Sequence, residues 1–238
     1  MSEPDVNILF EQGPCLVVLK PGGLLTQAPI EIDSLERRIK HFIKQRDDKP
    51  GKVYLGVPHR LDRPVSGAMV FARHVRAARR LSDQFQGRMV RKVYWAVVAG
   101  RVEPAEDEWT DWMRKIPDVA AAELVPRKHA ESRQAVLRYR VCAHLDGASW
   151  LRIELETGRM HQIRLQAGSR GHPVLGDAQY GSSATFGPPV DDPRRRWIAL
   201  HGRSLAFRHP MTRDPVEVVA PLPPCWAPLK LPPVGHVS

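Results

Sequence analysis

Cysteine is scarce in this chain. Cys15, Cys142 and Cys225 are the only three, widely spaced and without a CxxC pair. That leaves neither a disulfide framework nor a cysteine-rich zinc site, and makes a reducing cytoplasm the default compartment. No run of 18 apolar residues and no signal-peptide pattern occurs, so neither a membrane span nor secretion is expected. GxGxxG and GxxxxGKS/T are both missing, and dinucleotide or ATP chemistry of those kinds has no support. The ten histidines form no HExxH and flank no carboxylate triad. They read as structural or ligand-contacting groups, with no metal assigned. Internal repeats and a charge-rich linker are also lacking. A single domain over 1–238 is expected, with flexible Pro- and Gly-rich ends at about 1–13 and 224–238.

Positive charge is what the chain has in excess. Its 36 Lys and Arg oppose 26 Asp and Glu, a net +10 over 238 residues. Such an excess favours a polyanionic partner through long-range attraction and decides nothing about fold. Its distribution says more. Between His59 and Lys92 stand nine basic residues (60, 63, 73, 76, 79, 80, 88, 91 and 92) and two acids, Asp62 and Asp83. With 42% hydrophobic and 26% charged residues, the chain is long enough for a substantial core.

CLVVLK at 15–20 reads as a strand stopped by Pro21-Gly22-Gly23. The next segment predicts a helix over 34–46, with Asp33 and Glu36 as a capping box and Leu35, Ile39, Phe42 and Ile43 on one face. HVRAARRLSDQFQG predicts a second helix with Val75, Ala78, Leu81 and Phe85 inward. GAMVFAR and RKVYWAVVAG flank it with strand character. Residues 101–132 show weak periodicity and read as loops with ordered segments. RQAVLRYRV, WLRIELE, HQIRL, WIALHGRSLAFRH and PVEVVAP read as extended. Several short strands with two or three helices predict an α+β fold with a mixed, largely antiparallel sheet.

Three segments carry chemistry. HRLD at 59–62 places a carboxylate on a loop between basic residues, with Pro64 restricting its neighbours. In RKVY at 91–94, period two puts Lys92 and Tyr94 on one strand face. TGRMHQIR at 157–164 has Gly158 for a tight approach, and in extended form sets Gln162 and Arg164 on one face. One carboxylate, one phenol and several guanidinium groups make a pocket in which Asp62 acts as nucleophile or base. Burial alone raises a carboxylate pKa, and an adjacent arginine lowers it. The plainer alternative is a surface Arg–Asp pair worth about 0–1 kcal/mol.

The chain resembles the RNA pseudouridine synthases of the family named for the bacterial RluA enzyme. The resemblance runs through VVLKPGGLLTQ, HRLDRPVSGAMVFAR, FQGRMVRKVYWAVVAG, LETGRMHQIRLQAGSRGHPVLGDAQYG and ALHGRSLAFRHP. HRLD, TGRxHQIR and GHPxxGDxxYG in this order are a highly specific combination. The resemblance implies the pseudouridine synthase catalytic fold and the isomerisation of uridine to pseudouridine in tRNA or 23S-type large-subunit rRNA, without metal or organic cofactor. It implies that Asp62 is the essential aspartate, that Tyr94 packs against the target base, and that Arg164 pairs with the aspartate. Arg60 corresponds to the arginine that enters the RNA when the nucleotide turns out. Arg63, Lys92, Arg159, His161 and Gln162 complete the expected RNA-binding set, and Asp177 is expected to be structural or supportive. Structured RNA is the expected partner, a monomer the default, and a small S4-type domain finds no room before the first strand.

Two departures remove hydroxyl groups: Val65 and Met160 stand where relatives usually have Thr, and Gln166-Ala167 stand where relatives commonly have a histidine. Substituted packing is expected there. Two other functions compete with the isomerase. A catalytically inactive RNA-binding or ribosome-assembly protein would use the same basic cleft. A glycosidase-like hydrolase would need a second acid near Asp62, and the motif offers none.

Overall fold

The computed structural model describes residues 6–48 and 50–233. The elements β1 (Ile8–Gln12), β2 (Cys15–Lys20), α1 (Leu35–Arg46), β3 (Ser66–Ala72) and α2 (Val75–Gln86) come first. They are followed by β4 (Arg91–Ala99), β5 (Glu106–Lys115), β6 (Ala122–Leu124), β7 (Arg133–Leu145), β8 (Ala148–Leu155) and α3 (Gln162–Ser169). Strands β9 (Leu200–Arg208) and β10 (Pro215–Val219) come last. The architecture is α+β, and the chain gathers into two compact units. The first holds residues up to Lys92 with 192–195 and 202–222, and the second holds 93–191, 196–201 and the residues from 223 on.

In the first unit β2 lies between β1 and β3, antiparallel to both, β3 neighbours β9, and β10 pairs antiparallel with β9. Apolar residues are nearly continuous in β2 and β3 because both sheet faces are covered. Cys15, Val17 and Val70 face α2, which buries Ala77, Leu81 and Gln84. Val75, expected inward, is 66% exposed at the first turn, while Ala78 and Phe85 pack at the rim. Gly67 has φ +139°, and a Cβ there would run into the backbone of Gly202, so β3 and β9 approach as closely as two glycines allow. The cap of α1 is Ser34, whose hydroxyl accepts from the Arg37 amide. Asp33 instead binds Arg38.

In the second unit the order is β4-β8-β7-β5-β6, with antiparallel pairing from β8 onward through β6 and between β4 and β8. Strands β5 and β6 occupy the stretch whose periodicity was weak. HQIRL, expected to be extended, is the start of α3. Gln162 through Ala167 are all buried, so no polar face marks the 3.6-residue period. Of the ends read as flexible, Ile8–Gln12 is a strand and Pro224–Leu229 a 3-10 turn with Trp226 buried.

Candidate active site

The loop carrying Asp62 is fastened at alternate residues. Gly56 bridges Ala72 through two backbone bonds of 2.8 and 3.0 Å. The His59 ring stacks on Phe85 at 4.4 Å, and its Nε2 accepts from the Val70 amide at 3.0 Å. Accepting there requires a neutral imidazole. Burial pushes the His59 pKa down to about 3, and the nearby Lys92 acts in the same direction. Leu61 is buried, its carbonyl accepting from the Thr26 hydroxyl at 2.9 Å. The Arg63 Nε donates to the Gly23 carbonyl at 3.2 Å, and the Val65 amide closes a turn on the Asp62 carbonyl at 3.1 Å. Between these anchors Asp62 is half-buried and Arg60 exposed.

Beneath this loop lies a cation that the sequence reading left unassigned. Lys20 is fully buried, and its Nζ donates to the carbonyls of Pro21 (2.9 Å), Arg63 (3.1 Å) and Val65 (2.7 Å). Burial pushes its pKa down to about 7, the Asp62 carboxylate draws it back up, and Arg63 opposes that pull. A signal was present. In β2 the period of two sets Lys20 on the face of Leu16 and Val18, and a charge at an inward position needs a partner. Val65, one of the departures, is buried, and it is its carbonyl that serves Lys20. Lys92 is half-buried in β4, where burial and then Arg88 lower its pKa.

The second unit holds Tyr94, Arg159, His161, Gln162 and Arg164. Tyr94 is half-buried in β4 opposite Ile153 of β8. His161 takes φ +55° just ahead of α3, and its Nδ1 lies 2.8 Å from the Tyr180 hydroxyl. That hydroxyl in turn accepts from the Ala122 amide at 3.0 Å. Arg164 is buried and fork-bonded to Asp177, Nε to Oδ2 at 2.6 Å and Nη2 to Oδ1 at 2.8 Å, with Gln179 Oε1 at 2.9 Å. The Tyr180 ring lies 5.0 Å beneath its guanidinium carbon. Asp177, expected to be structural or supportive, is therefore the carboxylate that orients Arg164 within this unit.

Gln162 does not fit its expected contact with RNA. It is buried, its Oε1 accepts from the Thr157 hydroxyl (2.8 Å) and the Arg159 amide (3.0 Å), and its Nε2 donates to the Val136 carbonyl (3.1 Å). It shapes the 157–161 loop from inside. Arg159 is half-buried, its Nε on the Gln134 carbonyl at 2.9 Å. Gln166 is buried as well, tying α3 to the Trp109 carbonyl (3.1 Å) and to Asp111 (2.7 Å).

Residues 14–169 match the family model described as RNA pseudouridylate synthase. An uncharacterized RNA pseudouridine synthase of Synechocystis is 31% identical over 225 residues, covering 92% of this chain and 66% of the relative. A dual-specificity RNA pseudouridine synthase RluA of Haemophilus influenzae is 34% identical over 220 residues, covering 89% of this chain and 91% of that protein. Among solved structures, human RNA pseudouridylate synthase domain containing 4 shares the fold. Its TM-score is 0.78 at 21% identity, over 96% of this chain and 95% of that one.

Proposed function

The chain belongs to the RNA pseudouridylate synthase family, and from that membership we propose that it converts uridine to pseudouridine within tRNA or large-subunit rRNA. The observation that carries this reading is the HRLD loop, pinned at His59, Leu61, Arg63 and Val65 so that Asp62 and Arg60 fall between the anchors. Holding a reactive group in place before substrate arrives removes entropy from the reaction step.

In the proposed reaction the N1–C1′ bond of uridine breaks and the uracil turns in place. C5 then bonds to C1′, the C5 proton leaves and N1 takes one up, so product and substrate have the same composition. Asp62 serves as nucleophile or base. By resemblance Tyr94 packs against the ring, whose face and hydroxyl suit an aromatic with a polar tip, and Arg164 is the aspartate's basic partner. Arg60, Arg63, Lys92, Arg159 and His161 are the proposed RNA contacts. Turning the base out of a stack costs a few kcal/mol, which phosphate contacts by these cations offset. The reading takes the protein as a cytoplasmic monomer acting on structured RNA.

The test uses total RNA from a host lacking the gene, incubated with wild type or Asp62→Asn and digested to nucleosides for chromatography. Pseudouridine is expected with wild type and absent with Asp62→Asn, which should still bind RNA. Release of free uracil would instead identify a hydrolase. If wild type binds RNA and leaves uridine unchanged in naked RNA and in precursor particles alike, the protein is a binder and the isomerase reading fails.

A further inference from the structure

The first unit neutralises some of its arginines and leaves others bare. Arg38 meets Asp33, and Arg46 and Arg73 share Glu11 and Asp47. Arg76, Arg79 and Arg80 of α2, with Arg208 and Arg213 at the β9–β10 turn, make no ion pair among the described residues. Asp83 and Asp214, acids on the same elements, are exposed and do not bridge to them. The bare set is built into one surface. Arg80 Nη1 donates to the Pro210 carbonyl at 2.8 Å, Gln84 brackets the backbone of Arg208 with bonds of 2.8 and 2.9 Å, and Arg208 Nη1 reaches the Arg213 carbonyl at 3.2 Å. Loss of water, then Arg76 and Arg213, hold the Arg80 guanidinium below its ordinary range. Five guanidinium groups held together with no acid among the described residues bridging them, and only Asp83 and Asp214 on the same elements, leave a net positive potential that an anion would relieve.

This surface lies apart from Asp62. The loop of Asp62 meets α2 through His59, which stacks on Phe85 near the C-terminal end of the helix, whereas Arg76 stands nine residues back along α2, roughly 14 Å at ~1.5 Å per residue. Gly202 of β9 packs near Leu61, and Arg208 lies six strand residues further on, a separation of roughly 20 Å at ~3.3 Å per residue. We propose that the outer face of α2 and the β9–β10 turn form a second seat for the phosphate backbone of the RNA substrate, away from the reacting nucleotide. The inference rests on the RNA-modifying reading and deepens it, because the substrate must then extend about six stacked nucleotides beyond its target. Guanidinium forks suit phosphate oxygens.

The test compares full-length wild type, Arg76→Gln/Arg79→Gln/Arg213→Gln, and a charge-matched control, Lys44→Gln/Lys52→Gln/Lys128→Gln. Each is titrated with unmodified tRNA transcripts at several salt concentrations. The arginine variant should lower the slope of log affinity against log salt by about 2, from ~0.7–0.9 per lost phosphate contact, while the control keeps the wild-type slope. An unchanged slope in the arginine variant, or an equal drop in the control, overturns the seat. So does arginine-dependent binding to phosphatidylserine vesicles without a slope change on RNA. Pseudouridine formation is scored separately. A slope change with no product from transcripts, total RNA or precursor particles would leave the seat standing and sink the isomerase, and product without a slope change would do the reverse.

Discussion

The Arg164 guanidinium rests on three side-chain oxygens, two from Asp177 and one from Gln179, over the Tyr180 ring. Both partners of the fork are buried, so neutralising the carboxylate breaks a buried, hydrogen-bonded charge pair. Asp177→Asn should cost about 3–5 kcal/mol in urea unfolding. The displaced guanidinium should lower kcat on the order of 10²-fold. The conservative Asp177→Glu should recover folding before it recovers rate, and equal recovery of both would assign Asp177 to scaffold alone. Asp62 and Arg164 stood out in the sequence because each sits in a compact motif. Asp177 was visible in GHPVLGDAQYG, but its partner is 13 positions away, and no spacing rule joins a turn to a helix.

At the scale of elements, legibility followed amphipathicity. Helix α1 shows Leu35, Ile39 and Ile43 against a basic outer face, so period and cap region were readable, with Ser34 in place of Asp33 as the cap. Helix α3 shows nothing of the kind. Its first six residues are all inside, and alternation of Gln162, Arg164 and Gln166 with apolar neighbours imitates a strand. Strand β5 was obscured for the opposite reason. Glu106, Asp107 and Glu108 are all exposed, so the start of the strand lacks a polar–apolar beat. The meeting of β3 and β9 is a long-range feature that only the fold displays. Gly67→Ala would place a methyl group against the Gly202 backbone at φ +139°, and should destabilise by about 1–3 kcal/mol or more. Gly13→Ala, with φ +52° and open space around it, should cost about 1 kcal/mol. Equal shifts in Tm for the two variants would show that the strands can part.

For the molecule as a whole, composition revealed the charge and left its arrangement hidden. Among the described residues, ion pairs neutralise parts of the surface and spare α2 and the β9–β10 turn. Acid response is likewise a property of the whole fold. The pKa of His59 is about 3 when folded against an ordinary 6.5, so between those values the unfolded chain binds more protons. The stabilisation is complete above about pH 6.5 and is lost as pH falls toward 3, up to a few kcal/mol. His59→Gln keeps an acceptor for the Val70 amide. It should be less stable at neutral pH yet decline less steeply in acid, as urea midpoints from pH 7 to 4 would reveal. Parallel decline of both proteins would remove His59 from the acid response.

Lys20 also makes the loop of Asp62 a host with a resident guest. Three carbonyl oxygens converge on one ammonium, much as the ring oxygens of a crown ether converge on theirs. Truncation in Lys20→Ala vacates a lined cavity and keeps the lining, whose unsatisfied oxygens each cost about 1–3 kcal/mol. Small alkylammonium ions added to that variant should therefore restore pseudouridine formation with saturable kinetics. Tetramethylammonium, which has no N–H to offer, should not. Equal rescue by both would mean that bulk alone props the loop.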